Sequence, residues 1–158
     1  MLKRFLIISI FFLFVPALRA FPEETQARLK GGPITVTSET LTSDGKAHTA
    51  LFEKNVIAKT PDMTIYAAKM LVYYKEGSGN VTKIESTGDV KVLKDSRIIT
   101  AQKAVYYAEG EEKVVFTGDP RAVDGENLVT GSTITYFPKE DRSYVENSKV
   151  YLKSKKDR

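Results

Sequence analysis

The chain has 158 residues, with 24 Lys and Arg against 20 Asp and Glu, one histidine and no cysteine. Without cysteine there is no thiol nucleophile, no disulfide and no Cys/His zinc cluster. A formal charge of +4 is carried largely by the two ends and does not describe a nucleic-acid binder.

The opening "MLKRFLIISIFFLFVPALRAF" places Lys3 and Arg4 before a stretch from Phe5 to Val15 that is apolar apart from Ser9, followed by Pro16 and the small residue Ala20. This is the order of a secretory signal peptide. The stretch is well short of the ~20 residues that a helix needs to cross a bilayer, so cleavage after Ala20 is expected, with an uncleaved anchor as the alternative. Removing 20 of 158 residues leaves 138, about one domain. Lys3, Arg4 and Arg19 leave with them, so 21 cations face 20 anions. Residues 21–33, "FPEETQARLKGGP", carry Pro22, Gly31, Gly32 and Pro33 without apolar alternation and read as a flexible leader, loose or briefly helical. The folded domain is expected over residues 34–153, and residues 154–158 form a basic tail.

From Ile34 onward, short alternating runs of Val, Ile, Thr, Tyr and Phe are broken by turn clusters at residues 43–46, 60–62, 76–80, 108–112, 124–127 and 138–141. That is strand and turn grammar throughout. No stretch keeps apolar residues at helical spacing for three turns, so the domain is predicted to be all-β.

The runs also repeat. With one unit of 34 residues and the next of 30, Asn55 maps to Asp89, Asp119 and then Lys149. Ile65, Ile99 and Val129 align, as do Ala67, Ala101 and Gly131, then Met70, Ala104 and Ile134, then Val72, Tyr106 and Tyr136. A self-similar period of this size marks stacked units, each too small to bury its own apolar face. Within a pass the apolar positions run 65, 67, then 70, 72, and the later passes do the same. A step of three keeps both pairs on one side only if the strand bulges or bends there. The expected inner face carries Val56, Ile65, Met70, Val90, Val92, Ile99, Tyr106, Phe116, Ala122, Val129, Ile134 and Tyr136. A stack of bent hairpins keeps a free strand at each end, here near Ile34 to Leu41 and Lys149 to Lys153, with Val150 and Leu152 on the columns of Pro120 and Ala122.

Catalytic constellations are poor. His48 lies in the turn-rich "DGKAHTALF" and reads as an exposed loop histidine. Asp89, Asp119 and Asp124 are better explained as turn formers than as the paired acids of a glycosidase. Tyr73, Tyr74, Tyr106, Tyr107 and Tyr136 fit two descriptions, buried core rings or rings at the mouth of a groove with an apolar body and a polar tip. The tail "KSKKDR" is an ordinary solvated end or a contact for an acidic partner.

The segments "FEKNVIAKTPDMTIYAAKMLVYY" (52–74), "IESTGDVKVLKDSRIITAQKAVYY" (84–107) and "VVFTGDPRAVDGENLVTGSTITYF" (114–137) resemble the periplasmic lipopolysaccharide transport proteins of the LptA and OstA-like type. The chain departs from that pattern at "EKNV", where the family usually has Gly before Asn, and at Ala68 and Gln102, where it often has Asp. The resemblance implies an open β-jellyroll that carries lipopolysaccharide through the periplasm without catalysis, cofactor or metal. It implies a groove for the acyl chains of lipid A lined by Val36, Val56, Ile65, Ala67, Met70, Val72, Val90, Val92, Ile99, Ala101, Ala104, Tyr106, Phe116, Val129, Ile134 and Tyr136. It also implies edges at Ile34, Val36, Val150 and Leu152 for head-to-tail self-association and for docking LptC-like inner-membrane and LptD-like outer-membrane jellyroll domains. Nucleic acid is not among the partners. Two alternatives stand beside it, an LptC-like component that keeps its N-terminal helix and a lipid-free self-assembling β scaffold.

Overall fold

The computed structural model describes residues 28–29 and 32–153. The expected signal peptide, most of the leader and the tail at 154–158 lie outside the described residues. Within the leader span, Arg28–Leu29 (β1) pairs with Gly32–Pro33 (β2) in a short antiparallel hairpin. There follow β3 (Thr35–Thr37), β4 (Thr40–Asp44), β5 (Thr49–Lys59), β6 (Thr64–Tyr74), β7 (Val81–Lys94) and β8 (Arg97–Tyr107). Then come β9 (Lys113–Thr117), β10 (Arg121–Asp124), β11 (Asn127–Thr130), β12 (Thr133–Phe137), β13 (Arg142–Glu146) and β14 (Lys149–Tyr151). Among the described residues there is no helix, and the expected all-β open jellyroll is the architecture found.

β3 to β14 form one antiparallel sheet in which each pass of the chain pairs with the pass before and the pass after. Each pass bends at the same height. At the bend Lys54 and Asn55 of β5 face Ala68 alone, and Gly88 and Asp89 of β7 face Gln102 alone, so the ladder slips by one residue. Lys54, Asn55, Gly88, Asp89, Gly118, Asp119 and Asn147 all have positive φ. Asn, Asp and Gly tolerate this left-handed conformation better than other residues, and two opposite one is the geometry of a bulge, which sharpens the local twist.

The bends line up as a crease that divides the sheet into two wings. The first wing holds β4, Thr49–Glu53, Lys69–Tyr74, Val81–Thr87, Lys103–Tyr107, β9, β12 and β13. The second holds β3, Val56–Lys59, Thr64–Ala67, Val90–Lys94, Arg97–Ala101, β10, β11 and β14. The wings fold toward each other, because both buried clusters mix their residues. One joins Val92 and Ala101 to Phe116, Ile134 and Tyr136; the other joins Val56 and Ala58 to Met70, Val72 and Ile84. Burying a side chain of this size contributes roughly 1.5–3 kcal/mol each, which is how the domain holds without a cross-link.

The fourth repeat corrects the sequence alignment. The column of Asn55, Asp89 and Asp119 continues at Asn147, which has φ 50°, and not at Lys149. Two residues are missing from this pass. The β12–β13 turn has four residues between Phe137 and Arg142, where the β8–β9 turn has five between Tyr107 and Lys113. The last bend also has no extra residue, since Glu146 pairs with Thr133 and Lys149 with Thr130. Val150 therefore sits on the row of Ala122 rather than that of Pro120, and Leu152 lies beyond β14, 76% exposed.

The crease is testable at one glycine. A Cβ at Gly118 would lie 2.6 Å from the Cβ of Gln102, in a backbone with φ 77°. Gly118→Ala is expected to cost roughly 2 kcal/mol or more from the left-handed strain and the contact together, read as a lowered urea midpoint. Gly110, with φ 69° but nothing within 4 Å of a built Cβ, should lose only the strain share on the same substitution.

Candidate functional site

Strand pairing turns the repeat into continuous rows across each wing. In the second wing Val36, Ala58, Ile65, Val92, Ile99, Ala122, Val129 and Val150 are successive partners from one edge to the other. In the first wing the facing row is Leu41, Phe52, Met70, Ser86, Ala104, Phe116, Ile134 and Val145. Beyond it runs a parallel row containing Ala50, Val72, Ile84, Tyr106, Val114 and Tyr136. Period-two alternation puts all of these on the inner side.

Between the wings lies a cavity of about 220 Å³ whose walls are mostly apolar. Its position follows from size. Ser86, Ala104 and Ala122 stand in the middle of the facing rows where neighbouring passes carry Met70, Phe116 or Ile99, and the wings do not close the gap between small side chains. Of the sequence-predicted groove residues, Ile65, Val92, Ile99, Ala104, Tyr106, Phe116, Val129 and Tyr136 line this cavity. Val56, Met70 and Val72 pack instead into one buried cluster, Ala67, Val90, Ala101 and Ile134 into the other, and Val36 lies half-buried against the first. Ile34 is buried in that same cluster and also reaches the cavity wall. Met63, Ile84, Val114 and Val123 line the cavity and were not among the predicted site residues. Met63 sits in a turn, where strand alternation gives no signal.

The tyrosine doublets divide between the faces. Tyr74 and Tyr106 pack on the buried clusters, whereas Tyr73 carries the Lys83 ammonium 4.1 Å over its ring and Tyr107 is 38% exposed. Tyr106 Oη donates to Glu112 Oε1 at 2.9 Å. Burial first, and the adjacent Glu112 carboxylate second, push the Tyr106 phenol up, so it stays a neutral donor in the cavity wall.

A polar network closes one mouth. Lys94 Nζ donates to Tyr136 Oη at 2.7 Å, and Tyr136 Oη donates to Asp141 Oδ1 at 2.9 Å. Arg97 grips both Asp141 oxygens, at 2.7 and 3.0 Å. Lys94 and Arg97 belong to the β7–β8 hairpin of the second wing; Tyr136 and Asp141 belong to β12 and the turn after it in the first. Asp62 stands 3.8 Å from Lys94 and Asp124 stands 3.5 Å from Arg97. The Arg97 and Tyr136 hydrogen bonds draw Asp141 down to about 2 from an ordinary 3.8. Donation to Tyr136, helped by the Asp62 and Asp141 carboxylates, raises Lys94. Nothing in the sequence pattern joins these four residues, which stand in separate turns and strands.

No group of His, Cys, Asp and Glu fit to hold a metal ion occurs among the described residues. At the two edges of the sheet, all five residues of β4 are exposed, as are those of β14, and Leu41, Tyr144 and Val150 are each more than half exposed.

Over residues 35–142 the sequence matches the family described as LptA/(LptD N-terminal domain) LPS transport protein. No curated protein matches the chain. The crystal structure of LptH from Pseudomonas aeruginosa, the LptA-homologous periplasmic component of that organism's lipopolysaccharide transport device, superposes with a TM-score of 0.69 at 11% identity. The superposition covers 78% of this chain and 96% of the other. At that identity the likeness is one of fold.

The mouth network has a pH signature. Because the Asp141 pKa is depressed in the folded chain, its contribution to stability is fully present above about pH 4 and is lost as pH falls through about 2. Arg97→Gln should move the Asp141 carboxyl titration, followed by carbon-13 NMR, up toward 3.8. An unmoved titration would show that Arg97 does not hold Asp141 in solution.

Proposed function

This chain belongs to the LptA/(LptD N-terminal domain) family of LPS transport proteins, and we propose that it is a non-enzymatic periplasmic carrier that shelters lipid A acyl chains between its wings and bridges inner- and outer-membrane components. The observation that supports this reading is the cavity lined by Ile65, Ile99, Tyr106 and Val129 between two otherwise well-packed clusters. Each methylene kept from water is worth about 0.8 kcal/mol, so a wall of branched side chains is sufficient and no chemistry is required. The cavity favours a carrier over a lipid-free scaffold. Its 220 Å³ is below the ~300–1,000 Å³ of pockets that enclose a whole drug-sized ligand, so a multi-chain lipid is taken in part, with the wings parting to admit the rest.

The family match does not favour the LptC-like alternative. In this reading residues 1–20 are a cleaved export signal, 21–33 a leader, 34–153 the carrier domain and 154–158 a basic tail. The edge strands serve as joints. Among the described residues, β3 and β4 at one end, with β13 and β14 at the other, are paired on one side only and present free backbone groups on opposite sides of one molecule. Such a contact is heterologous and propagates head to tail, and the same edges take LptC-like and LptD-like jellyroll domains by strand addition. The row from Val36 to Val150 then continues into the next subunit.

Photo-crosslinking amino acids at Ile65, Ile99 and Val129 should capture lipopolysaccharide, whereas the outward positions Lys69, Lys103 and Thr135 should not. Equal capture by both sets would reject the cavity as the lipid path. For the joints, deleting residues 149–158 should leave a folded chain that binds lipid but stays monomeric at concentrations where the full chain lengthens, as followed by light scattering. Continued lengthening of the truncated chain would reject edge-to-edge bridging.

A further inference from the structure

The network at the cavity mouth is more than a tether between wing tips. Lys94 and Arg97 reach the cavity wall beside Val92, Ile99 and Ala122, so a molecule whose tails lie in the cavity brings its first polar group to these two cations. Both are at present satisfied from the opposite wing, Lys94 through Tyr136 Oη and Arg97 through the forked contact with Asp141. A guanidinium grips a phosphate through the same fork that it offers a carboxylate. The geometry points to Lys94 and Arg97 as a phosphate-binding subsite for the headgroup of an anionic amphiphile, with the Asp141 carboxylate as its built-in competitor. The inference rests on the carrier reading and adds to it the group that is recognised and the contact that must break.

The exchange favours the phosphate on charge and on exposure. A phosphate monoester brings about −1.5 to −2 charges and three acceptor oxygens, against the single charge of Asp141. Asp141 is half exposed at its side chain and regains water when released. Asp62 and Asp124 also face the cations and repel an incoming anion. Their contacts to the cations are longer, 3.8 and 3.5 Å, and their side chains are 60% and 57% exposed. Asp62 is held instead by Thr60 Oγ1 at 2.9 Å and Asp124 by Ser96 Oγ at 3.0 Å, exposed hydrogen bonds that water can replace. Releasing Asp141 removes the forked tie between the wing tips. Headgroup capture and opening of the mouth are therefore one event.

The test compares dodecyl phosphate with dodecyl maltoside, both below micelle formation, titrated calorimetrically into the purified full chain, with inorganic phosphate as a third arm. Lys94→Gln and Arg97→Gln should each lower the phosphate-over-maltoside affinity ratio about tenfold, the worth of one charge-assisted hydrogen bond. Asp141→Asn, which removes the competitor and keeps both cations, should raise the ratio, and it carries the test alone should Arg97→Gln loosen the tip. A ratio unmoved by both cation variants, or lowered by Asp141→Asn, overturns the subsite. Inorganic phosphate binding as tightly as dodecyl phosphate overturns it as a headgroup site. Maltoside binding with no preference for the phosphate overturns the subsite and leaves the carrier standing. If neither amphiphile binds the unmodified chain, the carrier reading falls and the subsite with it.

Discussion

Everything in this fold depends on every pass bending at the same height. A strand that bulges alone loses ladder hydrogen bonds to a straight neighbour, so a bend is cheap only where the adjacent strand bends beside it. The left-handed residues Asn55, Asp89, Asp119 and Asn147 supply one bend per outgoing pass, and Ala68, Gln102 and Ser132 receive it on the returning ones. Ala68 and Gln102 touch the glycines so closely that no Cβ fits at Gly88 or Gly118. With the crease in place the sheet folds on itself and its alternating apolar residues meet face to face. A straight sheet of the same sequence would leave one whole apolar side to water.

The repeat was legible because the crease imposes it. Each repeat must place a left-handed residue, then a compact apolar residue, then a small one at fixed offsets, and those constraints survive in the letters as Asn-Val, Gly-Asp-Val and Gly-Asp-Pro. The inner rows followed from the same register, since alternation is local. The last pass was misaligned because Glu146 to Lys149 crosses the crease without the extra residue and the turn before Arg142 is one shorter. Among the described residues no further strand pairs beyond β13 and β14 to demand the bulge, so the sequence is released from the pattern that made the other passes recognisable.

The division of inward residues into cavity wall and packed core was not legible. Ile99 lines the cavity and Val90, two rows away on the same wing, is 1% exposed in the core, yet both are branched residues on the inner side. What separates them is the size of the side chain on the other wing, set by a pass tens of residues distant. The mouth network escaped for a related reason. Asp141 stands in the turn cluster at 138–141 and Lys94 and Arg97 are polar residues at strand ends, where alternation carries no signal, and the contact between Arg97 and Asp141 spans 44 residues of sequence. Periodicity reports which face a residue takes, and not what waits opposite.

The two buried clusters allow the cavity to exist without endangering the fold. Val56, Met70 and their neighbours join the wings toward the first edge, and Val90, Phe116 and Ile134 join them toward the last. Ile65 from one wing and Tyr106 from the other pack against both clusters, so these two side chains mark where the cores meet and where the cavity runs between them. A single continuous core would transmit any parting of the wings through close-packed atoms at high cost. With the tight packing split in two, Phe116 and Met70, at 1% and 0% exposure, keep the wings joined while the small side chains at Ser86, Ala104 and Ala122 leave the middle underfilled. The large side chains of these rows hold the wings together and the small ones leave room between them, with Phe116 both packed in a cluster and facing the cavity, and the wing tips beyond are tied by charge, the kind of contact that water and a competing anion can undo.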